Sequence, residues 1–297
     1  MQADRPSRTA EGAALLRAMH VYVDEAPHLF DDRAVAPLLS GTVRLALRPV
    51  PLPVKRGLRR QERRQPMRAA MRGQIVLRAR YAEDALERAV AAGVDQVVIL
   101  AAGLDTTALR RTVDLPGATF WEVDHPATQR WKRRRLGARA TAAQRFVPVV
   151  FGEDDLACAL LDAGIDPARP IFVNWLGCTY YLPEAAASQT LAALAAVAAP
   201  GSRVVLDYWT ETTVSDLASR MLLRGAQVAL ALGREPLVGL TSSQRMCDLA
   251  RTAGWNVEED LDAAAQRARW LRGRQDALAV PGFAGLATLV NTGASNA

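Results

Sequence analysis

From Arg80 onward, short β-branched runs alternate with amphipathic segments, a pattern that confines the chain to a mainly parallel sheet covered by helices on both faces. Strands are predicted at 96–101 (QVVILA), 118–123 (ATFWEV), 145–151 (RFVPVVF), 171–176 (IFVNWL) and 202–208 (SRVVLDY). Helices are predicted between them at 81–92, 126–136, 154–163 and 183–199, two of them opened by a proline. An insertion at 211–232 precedes a further helix at 241–253. Strands at 255–260 and 285–291 then close the chain as a reversed hairpin at one sheet edge. The expected fold class is therefore α/β, with seven strands, mostly parallel, and an antiparallel last strand.

Before residue 80 the chain changes character. Thr9 to Val23 reads as a helix, and after a turn at Ala26-Pro27 the segment His28 to Leu39 reads as a second short helical piece. Three prolines interrupt Arg48 to Gly57, which is expected to be irregular, and helical spacing resumes from Leu58 to Arg72. Residues 1–79 are thus expected to form a helical cap on a domain spanning 80–297, with 211–232 as a lid.

Composition narrows the function classes. Half of the 297 residues are apolar, enough for a sizeable core. No 18-residue apolar run is present, and the first twenty residues lack the continuous apolar stretch of a signal peptide, so a cytoplasmic protein without a membrane partner is expected. Cys158, Cys178 and Cys247 are far apart and show no metal-ligand spacing, so buried thiols and no metal site are expected. The net charge of +6 is local: between Arg44 and Arg80 twelve Arg or Lys face one acid, Glu62. That stretch holds no aromatic residue on which a base could stack, which argues against a nucleic-acid partner.

Ligands of such a sheet bind beyond the carboxyl ends of the strands, where strand order reverses. The first strand runs into Ala101-Ala102-Gly103-Leu104-Asp105, a small-residue turn without the GxGxxG spacing that cradles a pyrophosphate. A phosphate-free nucleoside suits it better than a dinucleotide. Asp124, about twenty residues on, can accept hydrogen bonds from ribose hydroxyls or can cap the helix begun by Pro126. Asp155, with Leu156, can receive an adenine amino group or can cap the helix that follows.

The runs RARYAEDALERAVAAGVDQVVILAAGLDTTALRR and FWEVDHPATQRWK, with NWLGCTYYLPEAA, GSRVVLDY and SSQRMCDLARTAGW, resemble the leucine carboxyl methyltransferase superfamily. These are Rossmann-like class I methyltransferases that use S-adenosylmethionine, and the WLG form resembles a bacterial branch linked to natural-product O-methylation. The resemblance covers roughly residues 9–254. It implies that Arg80, in the ARY position, pairs with the methionine carboxylate of the cofactor, for which a guanidinium offers matched donors. Arg72 and Arg78 are read as surface arginines. The resemblance further implies a second cation from Arg17, a cofactor loop at Ala101, Ala102, Gly103 and Asp105, the ribose acid at Asp124, and the adenine-side pair Asp155 and Leu156. Ala101 stands where the family has its first glycine, which costs little provided its φ is negative. Leu176 stands where a eukaryotic branch has a glutamate near the methionine moiety.

The expected reaction is methyl transfer from S-adenosylmethionine to an oxygen of a small molecule. A carboxylate acceptor is ionised at neutral pH and needs no base, whereas an alcohol or phenol gains from one. The chain has three histidines, His20, His28 and His125, none in a catalytic pattern. No catalytic side chain is therefore assigned, and a carboxylate acceptor, oriented by Tyr180 and Tyr181, is preferred to a hydroxyl. The competing reading is a non-catalytic relative that keeps the fold as a binding module.

Overall fold

The computed structural model describes residues 8–45, 51–64, 67–211, 216–233 and 235–293. Its seven strands are β1 (Gln96–Leu100), β2 (Thr119–Asp124), β3 (Gln144–Pro148), β4 (Ile171–Trp175), β5 (Arg203–Trp209), β6 (Asn256–Leu261) and β7 (Ala284–Val290). They form one sheet in the order β3-β2-β1-β4-β5-β7-β6. Neighbours from β3 to β5 pair in parallel, and β7 runs antiparallel to both β5 and β6. Each predicted strand is present, with its ends within three residues of the expected ones. The order reverses between β1 and β4, so the crevice for a ligand opens above those two strands.

Helices in chain order are α1 (Arg8–Val23), α2 (Gly41–Arg44), α3 (Leu52–Arg64), α4 (Met67–Ala91), α5 (Thr107–Arg111), α6 (Pro126–Leu136), α7 (Leu156–Asp162), α8 (Glu184–Ala196), α9 (Leu217–Leu232), α10 (Ser243–Thr252) and α11 (Ala263–Gln266). One sheet face buries Val98, Leu100, Val173 and Val204 against α7, α8 and α10. The other buries Val97, Ile99, Phe172 and Val205 against Tyr81, Ala82, Ala85 and Ala89 of α4. Both faces of the central strands are covered, which is why β1 and β4 are buried along their whole length.

The N-terminal third departs most from expectation. The proline-rich stretch is not wholly irregular, because α3 begins at Leu52 with Pro53 in its first turn, where a missing N–H leaves no intrahelical bond unmade. Within 28–39 the helical part shrinks to a 3-10 turn at Arg33–Leu38. A single 25-residue helix, α4, runs through the line drawn at residue 79/80, so the cap and the sheet share it. Arg72 is no surface residue: it is 1% exposed and donates to Asp24 and Glu62. His20 Nδ1 bonds to Asp24, while its Nε2 accepts the Leu29 N–H, an arrangement that fits the neutral ring. This buried cluster ties α1 and α3 to α4. Of the three thiols only Cys178 is buried, with Cys247 half-buried and Cys158 exposed.

Candidate functional site

A cavity of about 650 Å³ lies over the carboxyl ends of β1, β2, β4 and β5, a size that suits a small-molecule ligand. Its floor is the β1–α5 turn (Ala101 to Asp105), Asp124, and the stretch Asn174, Leu176, Gly177 and Cys178 after β4. Gln74, Arg78, Ala82 and Leu86 of α4 form one wall, at the four-residue spacing of a single helix face. Thr9, Ala13 and Arg17 of α1 and Ala226, Ala229 and Leu230 of α9 close the top. Helix α9 occupies most of the segment expected to be a lid.

The β1 turn is held in a demanding shape. Ala101 has φ +50°, the only non-glycine with positive φ among the described residues, so the proviso of a negative angle fails. A side chain there costs about 1–2 kcal/mol more than in the right-handed region. Gly103, at φ +45°, donates its N–H to Asp124, which also accepts the His125 N–H at 2.6 Å. Helix α6 is capped by His125, whose Nδ1 accepts the Ala127 N–H, so capping does not account for Asp124. Burial raises the Asp124 carboxyl above its ordinary value, with the Gly103 and His125 N–H groups pulling the other way. The Asp105 carboxyl is likewise disfavoured by burial, but Arg17 and Lys132 outweigh this and lower it. Lys132 is itself buried against Glu122 at 2.6 Å.

Of the α4 arginines two residues apart, Arg78 lines the cavity and Arg80 lies outside it. Residues two apart on a helix point about 200° away from each other, and the face carrying Gln74 and Ala82 also carries Arg78. Arg80 is 44% exposed and pairs with Asp84 one turn on. The Arg78 Nη1 donates to the Tyr180 hydroxyl at 2.8 Å and to Asp207 at 3.0 Å. Burial disfavours its charge, yet Tyr180 and Asp207 prevail and bind its proton more tightly than usual. Asp207 also accepts from Gln74 Nε2 at 3.0 Å and the Gly177 N–H at 2.6 Å. A Cβ at Gly177 would lie 2.8 Å from Arg78 Nη2, so the guanidinium rests on the bare backbone of the WLG turn.

Arg17 enters from α1 over the β1 turn, where its Nη2 donates to the Leu104 carbonyl at 2.8 Å and its Nε to Asp32. Ala101, Ala102, Gly103, Asp105, Asp124, Leu176, Tyr180, Tyr181 and Arg17 all line the cavity. Asp155 and Leu156 do not. Asp155 caps α7 through the Cys158 N–H at 3.0 Å, and Leu156 is packed in the core beneath that helix. Capping alone thus describes that pair.

Toward α9 the lining is mainly apolar, with Met71, Tyr180, Tyr181, Trp209, Leu230 and Pro236, but it includes the Glu235 carboxylate, which accepts from the Thr9 hydroxyl. Tyr180 stacks on Trp209 with ring centroids 4.3 Å apart. Burial holds the Tyr180 hydroxyl far above its usual range and pushes the Tyr181 hydroxyl and the Cys178 thiol each to about 12, so all three are protonated at neutral pH. No histidine is among the described residues that line the cavity. Gln74, Asn174, Asp207 and Trp209 escaped the sequence reading. The four-residue step from Gln74 to Arg78 to Ala82 was the signal available for α4, whereas nothing local marks Asn174 or Asp207 within their apolar strands.

Known proteins are similar to this chain over the residues that carry the cavity floor. The sequence profile of the leucine carboxyl methyltransferase family matches residues 10–195. A protein of Mycolicibacterium smegmatis, provisionally named an S-adenosyl-L-methionine-dependent methyltransferase, is 37% identical over 191 residues, 62% of each chain. A relative of the same provisional name from Mycobacteroides abscessus is 37% identical over 185 residues, 61% of this chain and 60% of its own. The chain therefore spans less than two thirds of the length of these relatives. The crystal structure of a DUF574 family protein from Streptomyces avermitilis shares the fold at a TM-score of 0.59 and 13% identity, covering 96% of this chain and 98% of that one. The profile match takes in α4, the β1 turn, Asp124 and the WLG turn together, and the chain belongs to the leucine carboxyl methyltransferase family.

Proposed function

We propose that this protein is an S-adenosylmethionine-dependent O-methyltransferase that esterifies a carboxylate of a small, largely apolar molecule. The observation that carries the reading is the composition of the cavity wall. Among the described residues that line it are two guanidinium groups, Arg17 and Arg78, and no imidazole.

The residues present fit the cofactor. Ala101 to Gly103 leave backbone open to an adenosine, Asp124 offers carboxylate oxygens to ribose hydroxyls, and a guanidinium suits the methionine carboxylate. Arg78 is the favoured partner, because it lines the cavity and the Asp207 and Tyr180 bonds both fall on its Nη1. When bound, the sulfonium supplies an electrophilic methyl group for in-line displacement. The chain's contribution is alignment and the exclusion of water by α1 and α9. Tyr180 and Tyr181, protonated, can each donate a hydrogen bond to an acceptor oxygen but cannot remove a proton at neutral pH. An acceptor already ionised needs no such removal.

The test is a panel of aryl and alkyl carboxylic acids set beside the matching phenols, with the product distinguished by base-labile methyl ester. Esters are expected, with kcat nearly flat from about pH 6 to 9, since the acceptor is already ionised and burial keeps the Tyr180 and Tyr181 hydroxyls protonated over that range. Exclusive formation of base-stable ethers would refute the carboxylate preference.

A further inference from the structure

Family resemblance leaves one gap in this site: Leu176 occupies the place of an acid near the methionine moiety, and a leucine cannot receive an ammonium group. We infer that Asn174, supported by Gln74, receives that ammonium through amide oxygens, an inference that rests on the S-adenosylmethionine reading above.

Three observations carry it. Phe172, Asn174 and Leu176 share one face of β4 by the period-two rule, the face that packs under α4. In register, Asn174 sits between Ile99 of β1 and Val205 of β5, both buried and apolar. An amide 5% exposed among such neighbours is out of place unless something bonds to it, yet its Oδ1 has no partner. Gln74, 2% exposed, repeats the pattern from the opposite wall. Its Nε2 donates to Asp207, and because a carboxylate only accepts, that contact fixes which end of the amide is which. The buried end left without a partner is Oε1, an acceptor. Both residues line the cavity.

The neighbouring carboxylates each accept hydrogen bonds from groups of the chain itself. Asp124 accepts from two backbone N–H groups, and Asp207 from Gln74, Arg78 and Gly177. Glu83 holds Arg110 and Arg111, and Asp105 accepts the Thr107 N–H with Arg17 close by. Among the buried side-chain oxygens of the described residues that line the cavity, these two amide oxygens are the ones without a hydrogen bond. An ammonium has three donors and no acceptor, so it can satisfy both at once, with its charge strengthening each bond.

The experiment is calorimetric titration with S-adenosylhomocysteine and with its deamino analogue, which keeps the carboxylate but lacks the ammonium. Wild type is expected to bind the analogue about tenfold more weakly or worse. Asn174→Leu should lose about tenfold toward S-adenosylhomocysteine while binding the analogue as wild type does, and Gln74→Met should lose in the same direction. Asn174→Asp keeps the accepting oxygen and adds charge, so it should bind S-adenosylhomocysteine at least as well as wild type. The inference is overturned if wild type binds both ligands equally, if Asn174→Leu weakens both alike, or if Asn174→Asp is as weak as Asn174→Leu. A wild type that binds neither ligand overturns the cofactor reading itself.

Discussion

Arg78 and Arg80 stand two residues apart in the same basic helix, and replacing each by methionine should give opposite results. The Arg78 side chain is 10% exposed and Asp207 1%, with 3.0 Å between Nη1 and the carboxylate. At an effective dielectric of about 20, two charges roughly 4 Å apart attract by about 4 kcal/mol, and this pair has little solvent to screen it. Arg78→Met leaves Asp207 with its bonds from Gln74 and the Gly177 N–H, so the loss belongs at the low end of the range for breaking a buried pair, about 3 kcal/mol. With a urea slope near 3 kcal/mol per molar, that lowers the unfolding midpoint by about 1 M. Arg80→Met removes an exposed pair with Asp84 and should change stability by less than about 0.5 kcal/mol. Urea unfolding followed by circular dichroism reads both. Arg78→Lys keeps a cation for Asp207 but loses the planar fork, so it should remain folded while binding S-adenosylhomocysteine about tenfold more weakly. Equal urea midpoints for Arg78→Met and Arg80→Met, or loss of the ligand by Arg80→Met instead, would refute the inward placement of Arg78.

Three further outcomes follow from other parts of the fold. Ala101→Gly should be neutral or stabilising by up to about 1 kcal/mol, because glycine accepts φ +50° freely, whereas Ala101→Val should destabilise by more than about 2 kcal/mol; thermal unfolding showing the reverse order would refute the left-handed turn. Burial tends to raise the Asp24 carboxyl, but His20 and Arg72 hold it below its ordinary value, so its contribution is present above about pH 4 and is lost as the pH falls further. Asp24→Asn should cost about 3 kcal/mol at pH 7 and flatten that acid dependence, as read by urea midpoints at several pH values. Lys132→Met strands Glu122, whose carboxyl burial already raises; a raised acid favours the folded state at low pH, so the variant's deficit against wild type should shrink as the pH falls, and a constant deficit would count against the pairing.

Much of the architecture was legible because it depends on pattern. The runs QVVIL and IFVNW lie within a residue of where the sequence puts them, and Pro126–Leu136 starts and stops as predicted. These are elements whose own residues signal their ends. Continuity was harder: α4 carries a full helical period through residue 80, but the change in composition there suggested a boundary. The exception at Leu52 has a similar origin, since prolines read as helix breakers also fit a first turn.

At the site, the chain order already specifies the small-residue turn after β1, the acid ending β2 and the WLG turn after β4, because each follows a strand and a sheet of this topology collects strand ends in one place. Only the tertiary structure decided which arginine serves and what each acid does. Arg78 is inward because α4 packs on β4 and β5 at one rotation, and a two-residue shift around a helix separates cavity from solvent. Asp155 faces away because the helix it caps is packed against the opposite sheet face. Asn174 and Gln74, far apart in sequence and unremarkable in it, become a pair of unsatisfied oxygens only when helix and sheet close over them. Periodicity along a chain fixes which residues share a face, but what that face meets depends on contacts between segments that the local pattern does not encode.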